Sequence, residues 1–245
     1  MSPALFDQKE VKYMKEKTLF FDLDDTLIKC SGYYDEVEDR VISELCKYTN
    51  DYNYDELRKA FNIRQAENLL EYGYGPKNYI LSLKQIAQET TNDNYEKYNL
   101  AEYIEKTCAI LYDLPMELLD GVEETVKYLY NKGYNMNIIT KGMQDVQEKR
   151  VSKLTIKKYF KKYEIVGHKE KDDYLHIIEK YGLEPNDCYM IGNSPKGDIN
   201  EAKLAGFNTI YIPNEHTWGY ENEEILDCKP ETKVLSSITQ MMEIL

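Results

Sequence analysis

The sequence predicts an α/β fold, a Rossmann-like parallel sheet core with an inserted block of helices after its first strand. Three observations predict it. From about residue 115 to the end, short apolar runs of strand length alternate with amphipathic helical stretches. One apolar run, "KTLFFDL" at 17–23, stands apart before that alternation. Between the two, from about Ser31 to Leu114, apolar residues recur at three- and four-residue steps with no comparable strand. Strands alternating with helices imply right-handed crossovers and a parallel sheet.

The elements follow in order. "KTLFFDL" has strand character and is flanked by charge. "RVISELCKY", "DELRKAFNIRQAENLLEY" and "NYILSLKQIAQE" read as helices, broken at Gly73, Gly75 and Pro76. "GVEETVKYLYNKG" is a helix ending at Gly133, a C-cap residue. "YNMNIIT" is a strand and "MQDVQEKRVSKL" a helix; "YEIVG" is a strand and "DDYLHIIEKYG" a helix stopped by Gly182. "DCYMIGN" and "FNTIYIP" are strands separated by the helix "KGDINEAKLAG", and "SSITQMMEIL" closes the chain as a helix. The expected boundaries are 1–30 and 115–245 for the sheet domain and 31–114 for the helical insertion.

Composition narrows the function. With 31 Lys and Arg against 44 Asp and Glu, the formal charge is −13. A chain this acidic is not expected to coat nucleic acid through phosphate contacts. No apolar run approaches the roughly 20 residues needed to span a bilayer. The N-terminal segment has neither an apolar core nor a cleavage pattern, so the chain is read as cytoplasmic and without a membrane partner. The five cysteines form no CxxC pair and no Cys/His zinc spacing, and are expected to be reduced. The chain is expected to be a monomer or a homodimer.

In open α/β sheets ligands bind outside the carboxyl ends of the strands. Four such ends carry chemistry here. The first strand ends in Asp22, Leu23, Asp24, Asp25 and Thr26; "NIIT" ends in Thr140, Lys141 and Gly142; "YMIG" ends in Asn193, Ser194, Pro195, Lys196, Gly197 and Asp198; and "GHKEK" places Lys169 and Lys171 before a helix. Any one of these taken alone is explained as a helix N-cap. Asp22 and Asp24 together are not, because two carboxylates at one strand end repel. A divalent cation turns that repulsion into attraction. Mg²⁺ suits such hard oxygen ligands and often binds together with a substrate phosphate.

At these residues the sequence resembles the haloacid dehalogenase-like superfamily. "FFDLDDTL" matches its DxDxT motif, Thr140 its second motif, Lys171 in "HKEKDDY" its third, and "GNSPKGD" its acidic fourth. The helical insertion resembles the family's C1 cap. The resemblance implies a hydrolase of small phosphomonoesters, such as nucleotide or sugar phosphates, working through an aspartyl-phosphate. It implies Asp22 as nucleophile and Asp24 as general acid and base. Thr140, Lys141 and Lys171 are implied to hold phosphate, with Lys169 a competitor for the role of Lys171. Mg²⁺ is implied at Asp22, at the Asp24 carbonyl, and at Asn193 and Asp198, which share its surroundings. Asn193 departs from the family's usual aspartate there. Asp25 and Thr26 are read as shaping the turn.

Two other segments have open readings. "YGYGPKNY", Tyr72 to Tyr79, is either an interhelical turn or a reach over the site with Lys77. "PNEHTWGYE", with His216 and Trp218, is read as a lid or edge packing rather than as catalytic. Alternatives on the same fold are a 2-haloacid dehalogenase, a phosphomutase and a catalytically silent ligand-binding protein. Asp24 argues against the first, since that chemistry needs no acid two residues after the nucleophile. Asn193 is the feature that lends support to the last.

Overall fold

A computed structural model describes residues 17–245. The reading of the N-terminal segment as lacking an apolar leader falls almost wholly on residues outside that range. No described helix is long and apolar enough to cross a membrane.

The chain divides into two compact units. The first comprises the described residues up to Lys29, with Met116–Lys141 and Val151–Leu245. Its sheet has six strands: β1 (Thr18–Phe21), β2 (Asn135–Lys141), β3 (Lys162–Val166), β4 (Cys188–Gly192), β5 (Asn208–Tyr211) and β6 (Lys233–Val234). Their order is β3-β2-β1-β4-β5-β6 and every pair is parallel. This is the doubly wound α/β arrangement, and β1 lies at its centre, between β2 and β4.

Successive side chains of β1 serve opposite faces, as strand geometry requires. Leu19 and Phe21 pack with Val122, Val126, Leu129, Ile238 and Met241. Phe20 packs with Ile139, Tyr174, Ile177, Met190 and Phe207 on the other side. Both faces are thus covered, which is why "TLFF" is a continuous apolar run instead of an alternating one.

Three details differ from the sequence reading. "KGDINEAKLAG" begins as a π-helical turn, Pro195–Asn200, before a short helix Glu201–Leu204. "SSITQMMEIL" is only a short 3-10 turn followed by Met241–Ile244. β6 has two exposed residues, too few to leave an alternation pattern.

The second unit is Cys30–Pro115 joined by Gly142–Arg150. Its main helices are α1 (Ser31–Leu45), α2 (Tyr54–Glu67), α3 (Pro76–Thr91) and α4 (Leu100–Cys108). They enclose Val41, Ile42, Phe61, Leu83 and Ile104. A capping box of Asn53 and Glu56 starts α2, and Pro76 at the first position of α3 presets its backbone.

The segment 142–150 belongs with these helices for local reasons. The Arg150 guanidinium donates to Cys30 Sγ (3.4 Å) and Leu111 O (3.3 Å), and a Cβ on Gly75 would lie 3.1 Å from Met143 Cγ. The sequence reading left this segment in the sheet domain, since contacts so distant along the chain leave no periodicity. Tyr79 is core here: it is 2% exposed, its hydroxyl donates to Tyr34 O (2.8 Å), and its ring meets Phe61 edge-on.

All five cysteines are free. The sheet unit continues with α5 (Val122–Lys132), α6 (Gln144–Lys153), whose first turns belong to the second unit, and α7 (Lys171–Tyr181). Gly133 and Gly182 end α5 and α7 in left-handed conformation.

Candidate active site

β1 ends at Phe21, and Asp22 extends the ladder by one bond, its N–H donating to Ile191 O (2.9 Å). The chain then turns back on itself: the N–H groups of Leu27 and Ile28 both donate to Leu23 O (2.9 and 3.0 Å). Asp25 makes that turn with φ +61°, a left-handed conformation that Asp tolerates better than most side chains. Thr26 donates from its hydroxyl to Asn193 Oδ1 (3.2 Å). Asp25 and Thr26 thus shape the loop, and Asp22 is held buried at its root.

The ammonium of Lys169 lies between two carboxylates. It donates to Asp22 Oδ1 and to Asp198 Oδ1 (2.6 Å for the latter), and all three groups are buried. Lys169 takes φ +58°, which turns its side chain inward just before α7 begins. Lys171 sits in the first turn of α7, exposed; its backbone N–H donates to Glu201 Oε2 (2.8 Å). The structure thus brings the Lys169 side chain, and not that of Lys171, to Asp22 and Asp198. Family spacing to the following helix favoured Lys171, whereas the left-handed residue decides which lysine faces the sheet edge.

Asp198 belongs to the π-helical turn after β4. Its Oδ2 accepts the Ser194 N–H (3.0 Å) and its own N–H donates to Ser194 O (3.0 Å). A Cβ on Gly192 would overlap this carboxylate, so glycine is required by close approach. Asn193 is occupied differently: its Oδ1 accepts from Thr26, and its Nδ2 donates to Thr217 Oγ1 (3.1 Å). Of the two fourth-motif candidates, Asp198 is the one brought to Asp22 through Lys169.

Thr140, the residue before the last of β2, is 1% exposed, and its hydroxyl has no hydrogen-bond partner among the described residues. A buried hydroxyl left unpaired is costly, and this one stands at the ligand-binding edge of the sheet. Lys141, the next residue, turns to a different partner. Its ammonium pairs with Glu221 Oε2 (2.5 Å), an acid the sequence reading quoted but did not single out. Asp24 is partly exposed, close enough for its charge to act on Asp22.

The electrostatics follow from burial. Desolvation pushes the Asp22 carboxyl up, Lys169 works against that, and Asp198 and Asp24 add to it; the result is a rise from 3.8 to about 7. Burial opposes the Lys169 charge too, but Asp198 and Asp22 more than offset it and hold the ammonium above its ordinary range. One lysine thus balances a cluster of three carboxylates incompletely.

That imbalance, made of hard oxygen donors, fits a divalent cation. Asp22 and Asp198 are the side chains placed to hold one. Among the described residues no three His, Cys, Asp or Glu side chains form a ready cage. Mg²⁺ is ordinarily held by one or two carboxylates, with waters and substrate phosphate completing its shell.

The raised carboxyl predicts a pH effect. A group whose folded pKa lies above its unfolded one favours the fold when protonated. Its contribution is present below about pH 4 and is lost as pH rises through about 7. In protein stripped of divalent cations, the thermal midpoint is expected to carry a component that declines across that window. The same series on Asp22→Asn should lack it; an unchanged slope assigns the effect to other groups.

A parallel sheet thus carries a buried aspartate and a buried lysine at its carboxyl edge. Residues 16–206 match the model of the haloacid dehalogenase-like hydrolases, and the chain belongs to that family. It is similar to the glyceraldehyde 3-phosphate phosphatase of Pyrococcus furiosus, 24% identical over 94% of this chain and 92% of that protein. It is also similar to the N-acylneuraminate-9-phosphatase of Rattus norvegicus, 24% identical over 80% of this chain and 82% of that protein. A haloacid dehalogenase-like hydrolase from Xanthomonas campestris shares the fold with a TM-score of 0.78 at 24% identity, over 93% of this chain and 89% of that one.

Proposed function

We propose that the protein is a Mg²⁺-dependent phosphatase that hydrolyses a small phosphomonoester, a sugar phosphate or nucleotide, through an aspartyl-phosphate on Asp22. The observation that carries this reading is the convergence of Asp22 and Asp198 on the Lys169 ammonium at the sheet's carboxyl edge. The unpaired Thr140 hydroxyl supplies a donor for a phosphoryl oxygen at the same edge. Relatives named for a triose phosphate and for a sugar-acid phosphate support the substrate class.

In this mechanism an Asp22 carboxylate oxygen attacks phosphorus while the bond from phosphorus to the substrate's leaving oxygen breaks. Asp24 gives that oxygen its proton. Asp24, now ionised, takes a proton from water; the hydroxyl attacks phosphorus, the bond to Asp22 breaks, and inorganic phosphate leaves. Covalent catalysis divides one difficult displacement into two easier ones, and positioned proton transfer contributes about 10²–10⁴-fold. Lys169 and Thr140 hold the phosphoryl oxygens, so positioning and electrostatics do most of the work. Asp22 and Asp198 would hold Mg²⁺, whose positive charge would keep Asp22 ionised and offset charge on the phosphoryl group.

The test is phosphate release from a panel of triose, hexose and sugar-acid phosphates and nucleoside monophosphates, with Mg²⁺ and with excess chelator. Release that depends on Mg²⁺ is expected. Release undiminished by chelator removes the metal from the proposal, and no release from any member removes the phosphatase reading.

A further inference from the structure

We propose that Glu221 is a positioning residue for this site, carried in by the strap that follows β5; the proposal rests on the phosphatase reading. Between Tyr211 and Val234, Glu221 is the one buried residue. A carboxylate is a costly group to bury and a poor choice for a simple anchor. Its placement is nevertheless well held. Asn200 donates to Glu224 O (3.0 Å) and accepts from the Leu226 N–H (3.0 Å), and the Lys203 ammonium donates to Leu226 O (2.7 Å). At the other end, Asn214 Nδ2 donates to Asp25 O (3.2 Å), and Thr217 bonds to Asn193.

Glu221 Oε2 gathers two strand ends. It accepts from Lys141, the residue directly after Thr140, and from the Ser194 hydroxyl (2.6 Å). The same Ser194 oxygen accepts the Gly197 N–H (2.9 Å), and the Ser194 N–H donates to Asp198 Oδ2. A polar chain therefore runs from Glu221 through Ser194 to Asp198, from Asp198 to Lys169, and from Lys169 to Asp22. Packing around Gly197 shows how close these groups are. A Cβ there would lie 3.3 Å from Lys141 Nζ, 3.5 Å from Glu221 Oε2 and 3.5 Å from Lys169 Cβ. Glu221 neither touches Asp22 nor takes part in proton transfer. It sets the Asp198 turn and holds the Lys141 ammonium beside it.

The full chain tests this with Glu221→Ala and the isosteric Glu221→Gln, with Glu221→Asp as the conservative variant. Three quantities are read: kcat and KM for the best substrate of the panel, Mg²⁺ affinity by calorimetry, and the thermal midpoint. Loss of a residue that orients metal-site ligands typically costs about 10–100-fold in activity or metal affinity. Glu221→Ala is expected to lose that much in kcat and in Mg²⁺ affinity with little change in KM, and Glu221→Asp to recover part of it. If Glu221→Ala does not fold, Glu221→Gln carries the test. Values of kcat and Mg²⁺ affinity within about twofold of wild type overturn the proposal, as does a loss that merely follows the thermal midpoint. Should the wild-type chain release no phosphate yet bind Mg²⁺, the phosphatase reading fails; Glu221 then stands or falls on whether its loss weakens that binding. Neither turnover nor Mg²⁺ binding in the wild type overturns both.

Discussion

Lys169→Met should cost both stability and activity, while Lys171→Met should cost neither. The Lys169 ammonium lies between Asp22 and Asp198, and its removal leaves two buried carboxylates without a cation. Breaking a buried pair in this way is typically worth about 3–5 kcal/mol. For a chain of this length, 1 kcal/mol moves the thermal midpoint by about 2–4 °C, so a fall on the order of 10 °C is expected. It should shrink at acid pH, where the two carboxylates take up protons. Turnover should fall further, because the phosphoryl group would lose the ammonium proposed to hold it. Lys171 is exposed, and surface substitutions of this kind stay within about 0.5 kcal/mol. Thermal scans and phosphate release on the two variants decide the matter. Full activity in Lys169→Met, or its loss in Lys171→Met, would return the role to Lys171.

Asp22→Asn should separate chemistry from folding. The amide keeps the shape of the side chain but removes the proposed nucleophile, so turnover should drop by on the order of 10⁴-fold or more, as when a catalytic unit loses its attacking group. Stability should hold or rise. Burial already pushes the Asp22 carboxyl up to about 7, which means the fold is strained by that charge and gains from a neutral group. Lys169 keeps Asp198 as its partner. Substantial activity retained in the variant would exclude a covalent intermediate on this residue, whatever the thermal midpoint does.

The site was legible in the sequence to different depths. Asp22, Thr140 and Asp198 could be located because each falls at or just beyond the end of a strand that the pattern of apolar runs already marks. Asp25 and Thr26 were legible as turn residues, since they follow a strand end directly. The choice between Lys169 and Lys171 was not legible. It depends on one left-handed residue, and φ at a lysine leaves no trace in composition or periodicity. Asn193 could be seen as a departure from an acidic motif, but not as the partner of Thr26 and Thr217. Glu221 lies 80 residues from the lysine it pairs with, in a segment with neither strand nor helix periodicity.

The sequence by itself determined the parallel α/β class and the helical insertion after the first strand. These rest on local rules: apolar runs buried on both faces of a sheet, helices of period 3.6, and glycines that end them. Only the tertiary structure decided which charges meet. Asp22, Lys169, Asp198 and Glu221 come from four separate segments of the chain. Their pairing is a property of the sheet order β3-β2-β1-β4-β5-β6, which brings those segments to one edge. Burial then raises Asp22, holds Lys169 charged and makes each pairing matter, because a buried charge is tolerated only where another group answers it.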